Sequence, residues 1–143
     1  GNRVLIHPGS GGSDKRWPAE NFEILIATLQ AAGHTVNVVL GEVEQETWPQ
    51  DLLQRWSERY GAEPIKSLAT LGTRIATSDL YVGNDSGPTH LAAQMGVPTV
   101  AMFGPTCPAV WGPRGPAVTI LAPPNPVPMT WLNIALVAKA CGV

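Results

Sequence analysis

Hydrophobic positions along this chain come in two rhythms, short unbroken apolar runs and stretches with apolar residues three and four apart. The first run is Arg3 to His7 (RVLIH), which reads as a buried strand closed by Pro8-Gly9. Phe22, Leu25, Ile26 and Leu29 then fall on one face of a helix from about Ala19 to Ala32. Pro18 suits its first turn, and Gly33 its C-terminal cap. His34 to Leu40 is β-branched and strand-like until Gly41 breaks it. A weaker helical pattern runs from about Val43 to Tyr60, interrupted near Pro49 and stopped at Gly61. Glu63 to Lys66 reads as a short edge strand, Leu68 to Ala76 as a helix and Asp79 to Gly83 as a strand. After the polar turn NDSGP come a helix from about Thr89 to Met95, capped by Gly96, and a strand from Val97 to Phe103. A Pro-Gly loop, a last strand at Val118 to Leu121 and a helix around Trp131 to Ala140 complete the chain. Apolar strands alternating with helices predict a Rossmann-like α/β three-layer sandwich with a parallel sheet. Ligands bind such sheets beyond the carboxyl ends of the strands. The loops after His7, Val82 and Phe103 are therefore the places to look for chemistry.

Composition narrows the options. The 143 residues suit one domain, and 44% hydrophobic content argues against disorder. A net charge of −2 gives no general attraction to nucleic acid or to an acidic membrane surface. No apolar run has the length of a membrane span. Cys107 and Cys141 form neither a metal spacing nor a disulfide framework, which points to reduced thiols and a cytoplasmic setting. No His, Cys and acid cluster has metal-ligand spacing, and the scattered tryptophans make no base-stacking row. Charge is uneven: all eleven acids lie at or before Asp85, and beyond it only Arg114 and Lys139 are charged among 58 residues with ten of the fourteen prolines. A free-standing domain rarely leaves so much surface uncharged, so this half is expected to face another domain. The chain opens without Met and enters a strand almost at once, which suggests a piece of a longer protein.

Four motifs carry candidate chemistry. HPGSGGSDKRW, positions 7–17, combines backbone-exposing glycines, Lys15 and Arg16 with a following helix N-terminus, the ingredients of a diphosphate cradle. It is neither a Walker A loop nor a dinucleotide GxGxxG, because Asp14 stands where each needs a glycine. A flexible loop with solvated charges is the plain alternative. In LGEVEQE, Glu42, Glu44 and Glu46 could each accept bonds from a ribose diol, or simply favour a helix N-terminus. In VGNDSGPTHLAAQMGVP, Asp85 or Ser86 could cap a helix, with Gly87 allowing a ligand close. Ser86 and His90 also invite a serine-hydrolase reading, but Gly83 is three residues before Ser86 and misses the nucleophile elbow. FGPT, with Gly104 and Thr106, is by itself only a turn at the next strand end.

Together these residues resemble the C-terminal nucleotide-sugar-binding domain of glycosyltransferase family 9, the bacterial heptosyltransferases of lipopolysaccharide core synthesis. The carriers are HPGSGGSDKRWP, the LGEVEQE turn, VGNDSGPTHLAAQMGVPTVAMFGPT and the final helix, nearly the whole chain. The resemblance implies the C-terminal half of a two-domain GT-B fold, with residues 1–143 as the donor-binding domain. It implies that Lys15 contacts and stabilises the leaving diphosphate, with Ser10 and the backbone around Gly11 in the same pocket. Glu44, chosen over Glu46, would meet the donor ribose. Asp85, Ser86, Gly87 and His90 would lie against sugar and phosphates, and Gly104 and Thr106 would line the next turn. The implied reaction is inverting transfer of a heptose from ADP-heptose to a lipopolysaccharide core acceptor, without a required metal or other cofactor. Its general base and acceptor site belong to an N-terminal domain outside these residues. The chain alone is thus expected to bind a nucleotide-sugar and not to catalyse transfer. The whole enzyme would be cytoplasmic, at the inner face of the bacterial inner membrane. A half of a sugar-nucleotide 2-epimerase, with UDP preference, and a non-catalytic nucleotide-binding module are the alternatives.

Overall fold

The computed structural model describes residues 1–10, 13–105 and 115–143. Its strands are β1 (Arg3–His7), β2 (Thr35–Leu40), β3 (Glu63–Pro64), β4 (Leu80–Asn84), β5 (Thr99–Met102) and β6 (Val118–Leu121). The helices are α1 (Ala19–Ala31), α2 (Glu42–Thr47), α3 (Gln50–Tyr60), α4 (Leu68–Ala76), α5 (Gly87–Gln94) and α6 (Ile134–Ala140), with 3-10 turns at Ser13–Lys15 and Met129–Trp131. The strands form one sheet in the order β3-β2-β1-β4-β5-β6, and every neighbouring pair is parallel. The chain therefore builds outward from β1 to one edge, then crosses to β4 and builds to the other. That reversal opens a crevice between the carboxyl ends of β1 and β4.

Both faces of the sheet are covered, which explains why the strands lack polar alternation. Val4, Ile6, Val38, Val82, Val100 and Met102 face one layer, made by Phe22, Leu25, Ile26 and Leu29 of α1, Trp56 of α3 and Val137 of α6. Leu5, Val39 and Tyr81 face the other, against Leu71 and Ile75 of α4 and Ala92 of α5. A three-layer α/β sandwich is the architecture the alternation predicted.

Several boundaries differ from the reading of the sequence: β2 starts at Thr35, β3 ends at Pro64 and β5 spans only Thr99–Met102, while the interruption expected near Pro49 is present. The segment Val43 to Tyr60 is two helices. Trp48, just before Pro49, is extended (φ −71°, ψ 142°), as a residue preceding proline tends to be. Helix α5 begins at Gly87, two residues earlier than the pattern suggests. Pro88 sits in its first turn, where a missing N–H has no intrahelical partner to lose. Strand β4 runs one residue further, to Asn84, while Asp79 stays outside it and binds the Arg3 backbone N–H (3.0 Å) and guanidinium. Trp131 lies in a separate 3-10 turn and donates its indole N–H to the Phe103 carbonyl at 2.8 Å. Asn133 caps α6 by accepting the Leu136 N–H. No helix among the described residues is long and apolar enough to cross a membrane.

Candidate functional site

The crevice at the switch point is lined by residues the sequence reading singled out. A cavity of about 280 Å³ is walled by His7 at the end of β1, Ser10 after it, Gly41 to Glu44 after β2, and Ser86 to Pro88 at the start of α5. Two loops meet across it: the Ser10 hydroxyl donates to the Asp85 carbonyl oxygen at 3.0 Å.

Lys15, in the 3-10 turn after β1, holds its ammonium 3.5 Å from Asp85 Oδ2. His90, one turn into α5, places Nε2 3.8 Å from Asp85 Oδ1. A nearly buried carboxylate thus sits between a lysine and a histidine that are each about two-fifths exposed. Asp85 is unsuited to touching a phosphate itself, since like charges repel. Its physical role is to hold the two basic groups at the rim. The positive end of α5 opens on the same spot. A Cβ built on Gly87, at that end, would meet nothing within 4 Å, so a ligand can approach the backbone closely there.

Glu44 is placed differently from an open ribose contact. It is 1% exposed, and its Oε1 accepts both the His7 Nε2–H (3.0 Å) and the Gly41 backbone N–H (3.0 Å). Gly9 lies flat against the carboxylate; a Cβ there would fall within 2.3 Å of both oxygens. Burial pushes the Glu44 pKa up, but the bond and charge of His7 and the Gly41 N–H outweigh it and leave the pKa below its ordinary value. A carboxyl with a depressed folded pKa stabilises the fold above its unfolded pKa, and that contribution is lost as pH falls through the folded value. In thermal melts from pH 7 to pH 3, Glu44→Gln should be less stable than wild type at neutral pH. The gap should close below about pH 4, where the unfolded carboxyl titrates. A gap constant with pH would remove the charged form of Glu44 from this account. Glu42 also lines the cavity and is exposed, while Glu46 is exposed and does not line it.

Ser86 stands at the N-cap position of α5 but makes no cap bond with its side chain. Its hydroxyl lies 3.3 Å from Thr89 Oγ1, which also lies 3.1 Å from the Tyr81 hydroxyl. Thr89 spends its one hydroxyl proton on the Asn84 carbonyl at 2.6 Å, so in both contacts it is the acceptor. Tyr81 is fully buried, and that burial raises its pKa despite the bond to Thr89, so it stays a neutral donor. Ser86 pairs with Thr89 and not with His90, which removes the geometric basis of the serine-hydrolase reading.

Gly104 follows β5 at the same end of the sheet but does not line the cavity. A Cβ on it would come within 2.7 Å of the Val127 carbonyl oxygen, so it serves close packing against residues 127–129. Gly11, Thr106 and Cys107 lie outside the described residues; Cys141 is a buried free thiol. No three of His, Cys, Asp and Glu come together to hold a metal among the described residues.

Asn84 is the residue the sequence reading passed over. It is fully buried at the end of β4, and its side-chain amide bonds to Pro8, Gly9 and Trp17. The signal available was a lone amide closing an apolar strand, which read as part of a polar turn.

Comparison with known proteins places this arrangement. The model of glycosyltransferase family 9 (heptosyltransferase) matches residues 2–128. Lipooligosaccharide heptosyltransferase 2 of Campylobacter jejuni is 36% identical over 114 residues, 74% of this chain and 35% of that protein. Lipopolysaccharide heptosyltransferase 3 of Escherichia coli K12 is 31% identical over 116 residues, 77% of this chain and 33% of that protein. The chain thus spans about a third of the length of these relatives. Among solved structures, the E. coli heptosyltransferase WaaC with ADP superposes with a TM-score of 0.84 at 23% identity, over 99% of this chain and 44% of that one. The E. coli ADP-heptose heptosyltransferase II gives 0.79 at 24% identity, over 98% and 45%. With its switch-point crevice, its Lys15–Asp85 closure and this match over most of its length, the chain belongs to glycosyltransferase family 9, the heptosyltransferases.

Proposed function

We propose that this chain is the donor-binding half of a GT-B heptosyltransferase, whose whole polypeptide transfers a heptose from ADP-heptose to a lipopolysaccharide core sugar with inversion. The observation that carries the reading is the meeting of Lys15 with Asp85 across the crevice, beside the N-terminus of α5. This is a site for a diphosphate whose charge grows as the glycosidic bond breaks. Lys15 and the backbone N–H groups of the first loop and of α5 would stabilise that charge in place, a preorganised electrostatic effect. Two structural neighbours, E. coli WaaC with ADP and with ADP-2-deoxy-2-fluoro heptose, support the choice of an adenine nucleotide.

In this reading Ser10, Gly11, Ser86, Gly87 and His90 surround the phosphates and the sugar, with Asp85 behind them holding Lys15 and His90. Glu44, buried and bonded to His7 and Gly41, holds the cavity wall beside the ribose and does not contact it openly. Gly104 and Thr106 shape the turn beside them. The acceptor, the general base that takes its proton and the surface that covers the uncharged second half belong to an N-terminal domain of the same polypeptide. The 143 residues alone would bind donor without transferring sugar.

Calorimetric titration with ADP, UDP and GDP, with and without magnesium, tests the reading. ADP should bind in preference to the other two, and magnesium should leave its affinity unchanged. A preference for UDP would overturn the ADP-heptose assignment and favour an epimerase-like half. Binding of none of the three would overturn the claim that this half holds the donor by itself.

A further inference from the structure

Resting on that function, we propose that Asn84 is a positioning residue, a clasp that closes the loop carrying Lys15 and so sets its grip on the second phosphate. The Asn84 amide holds both ends of that loop. Nδ2 donates to the carbonyl oxygens of Pro8 (3.0 Å) and Gly9 (3.4 Å), where the chain leaves β1. Oδ1 accepts the backbone N–H of Trp17 (3.1 Å), two residues beyond Lys15. Partners fix the orientation of the amide, because carbonyls need the nitrogen and an N–H needs the oxygen. Asn84 itself cannot drift. Its backbone is the last residue of β4, and its carbonyl receives the Thr89 hydroxyl at 2.6 Å from inside α5. The next residue, Asp85, carries the carboxylate that meets Lys15. One buried side chain therefore ties the lysine's loop to the strand end that bears the lysine's partner. Asn84 is fully buried, so it reaches no ligand itself and acts through the loop that carries Lys15.

Two variants test the clasp. Asn84→Asp is isosteric but turns an acceptor toward the carbonyls of Pro8 and Gly9; Asn84→Ala removes all three bonds. Titrate wild type and both variants with ADP and with AMP, and follow amide hydrogen exchange by NMR. Affinity for ADP should fall roughly tenfold or more in both, as expected when buried hydrogen bonds are broken, while affinity for AMP stays within about twofold. In Asn84→Ala, exchange protection should be lost at the Trp17 amide and kept at Ile6 and Val82 in the sheet. A general loss of structure would instead lower both nucleotides together and strip the sheet amides, and would overturn a positioning role. ADP affinity unchanged in both variants would overturn it as well. Wild type that binds neither nucleotide would overturn the function reading instead. The clasp would then stand or fall on the Trp17 amide: protection lost in Asn84→Ala supports it, protection retained overturns it.

Discussion

Lys15→Ala should weaken ADP binding roughly 10- to 150-fold, the equivalent of about 1.5–3 kcal/mol for a charge-assisted hydrogen bond. Of the residues gathered at the crevice, Lys15 and His90 are the bases held on the Asp85 carboxylate. Lysine presents a compact ammonium on a flexible stem that can swing from Asp85 to a phosphate. The lost affinity should be greater for ADP than for AMP, and it should shrink as salt is raised, because the site is open to solvent on one side. Stability should change little, since the Lys15 side chain is 39% exposed and exposed ion pairs contribute little. The check is a paired calorimetric titration and thermal melt of wild type and variant. Equal ADP affinity in the two would remove Lys15 from the donor site. If the proposed function holds, the same substitution in the full-length protein should also lower the rate of transfer, because a lysine at the leaving diphosphate contributes most when charge develops there.

Trp17→Ala should destabilise the fold by about 3–5 kcal/mol, the usual cost of emptying a buried tryptophan site. Trp17 is 1% exposed, packs edge-on against Phe22 (ring centroids 5.0 Å apart) and donates its indole N–H to the Leu132 carbonyl at 2.9 Å. Truncation leaves a cavity between α1 and the C-terminal segment, and it leaves that carbonyl buried without its donor. Trp17→Phe should cost less, about 1–3 kcal/mol, because most of the apolar contact is retained and the hydrogen bond is the main loss. Urea unfolding of the three proteins measures both. A Trp17→Ala loss under about 1 kcal/mol would mean that the site collapses freely or that the packing is not as described. The substitution also bears on function, since Trp17 ends the loop that carries Lys15. ADP binding should weaken along with stability, which separates it from Lys15→Ala, where stability is nearly kept.

The sequence by itself determined the class of fold and the side of the sheet on which to look. Apolar strands such as RVLIH and TVAM can be buried on both faces only if helices cover each one, and that requirement acts locally, residue by residue. The helix from Leu68 to Ala76 appears where its periodicity places it. So does Gly61, with the positive φ of 59° that ends α3. Lys15, Asp85 and His90 were legible as candidate site residues because their spacing resembles a family pattern. Their meeting was not legible: 70 positions separate Lys15 from Asp85, and only parallel pairing of β1 with β4 brings them to one crevice.

Tertiary structure alone decided which polar groups face the crevice and which hold the scaffold. Glu44 reads as an open acid in LGEVEQE, yet it is sealed beneath Gly9 and bonded to His7, because the loops after β1 and β2 leave adjacent strands at the same height. Ser86 reads as a cap or a nucleophile, yet its hydroxyl is drawn to Thr89, whose own proton is taken by Asn84. Asn84 reads as one polar letter in a turn and proves to bind both ends of a loop more than 65 residues away. Periodicity reports what each residue shows to its own helix or strand. Hydrogen-bond partners so distant along the chain are chosen only when the sheet assembles, and the desolvation of buried amides and carboxylates then makes that choice strict.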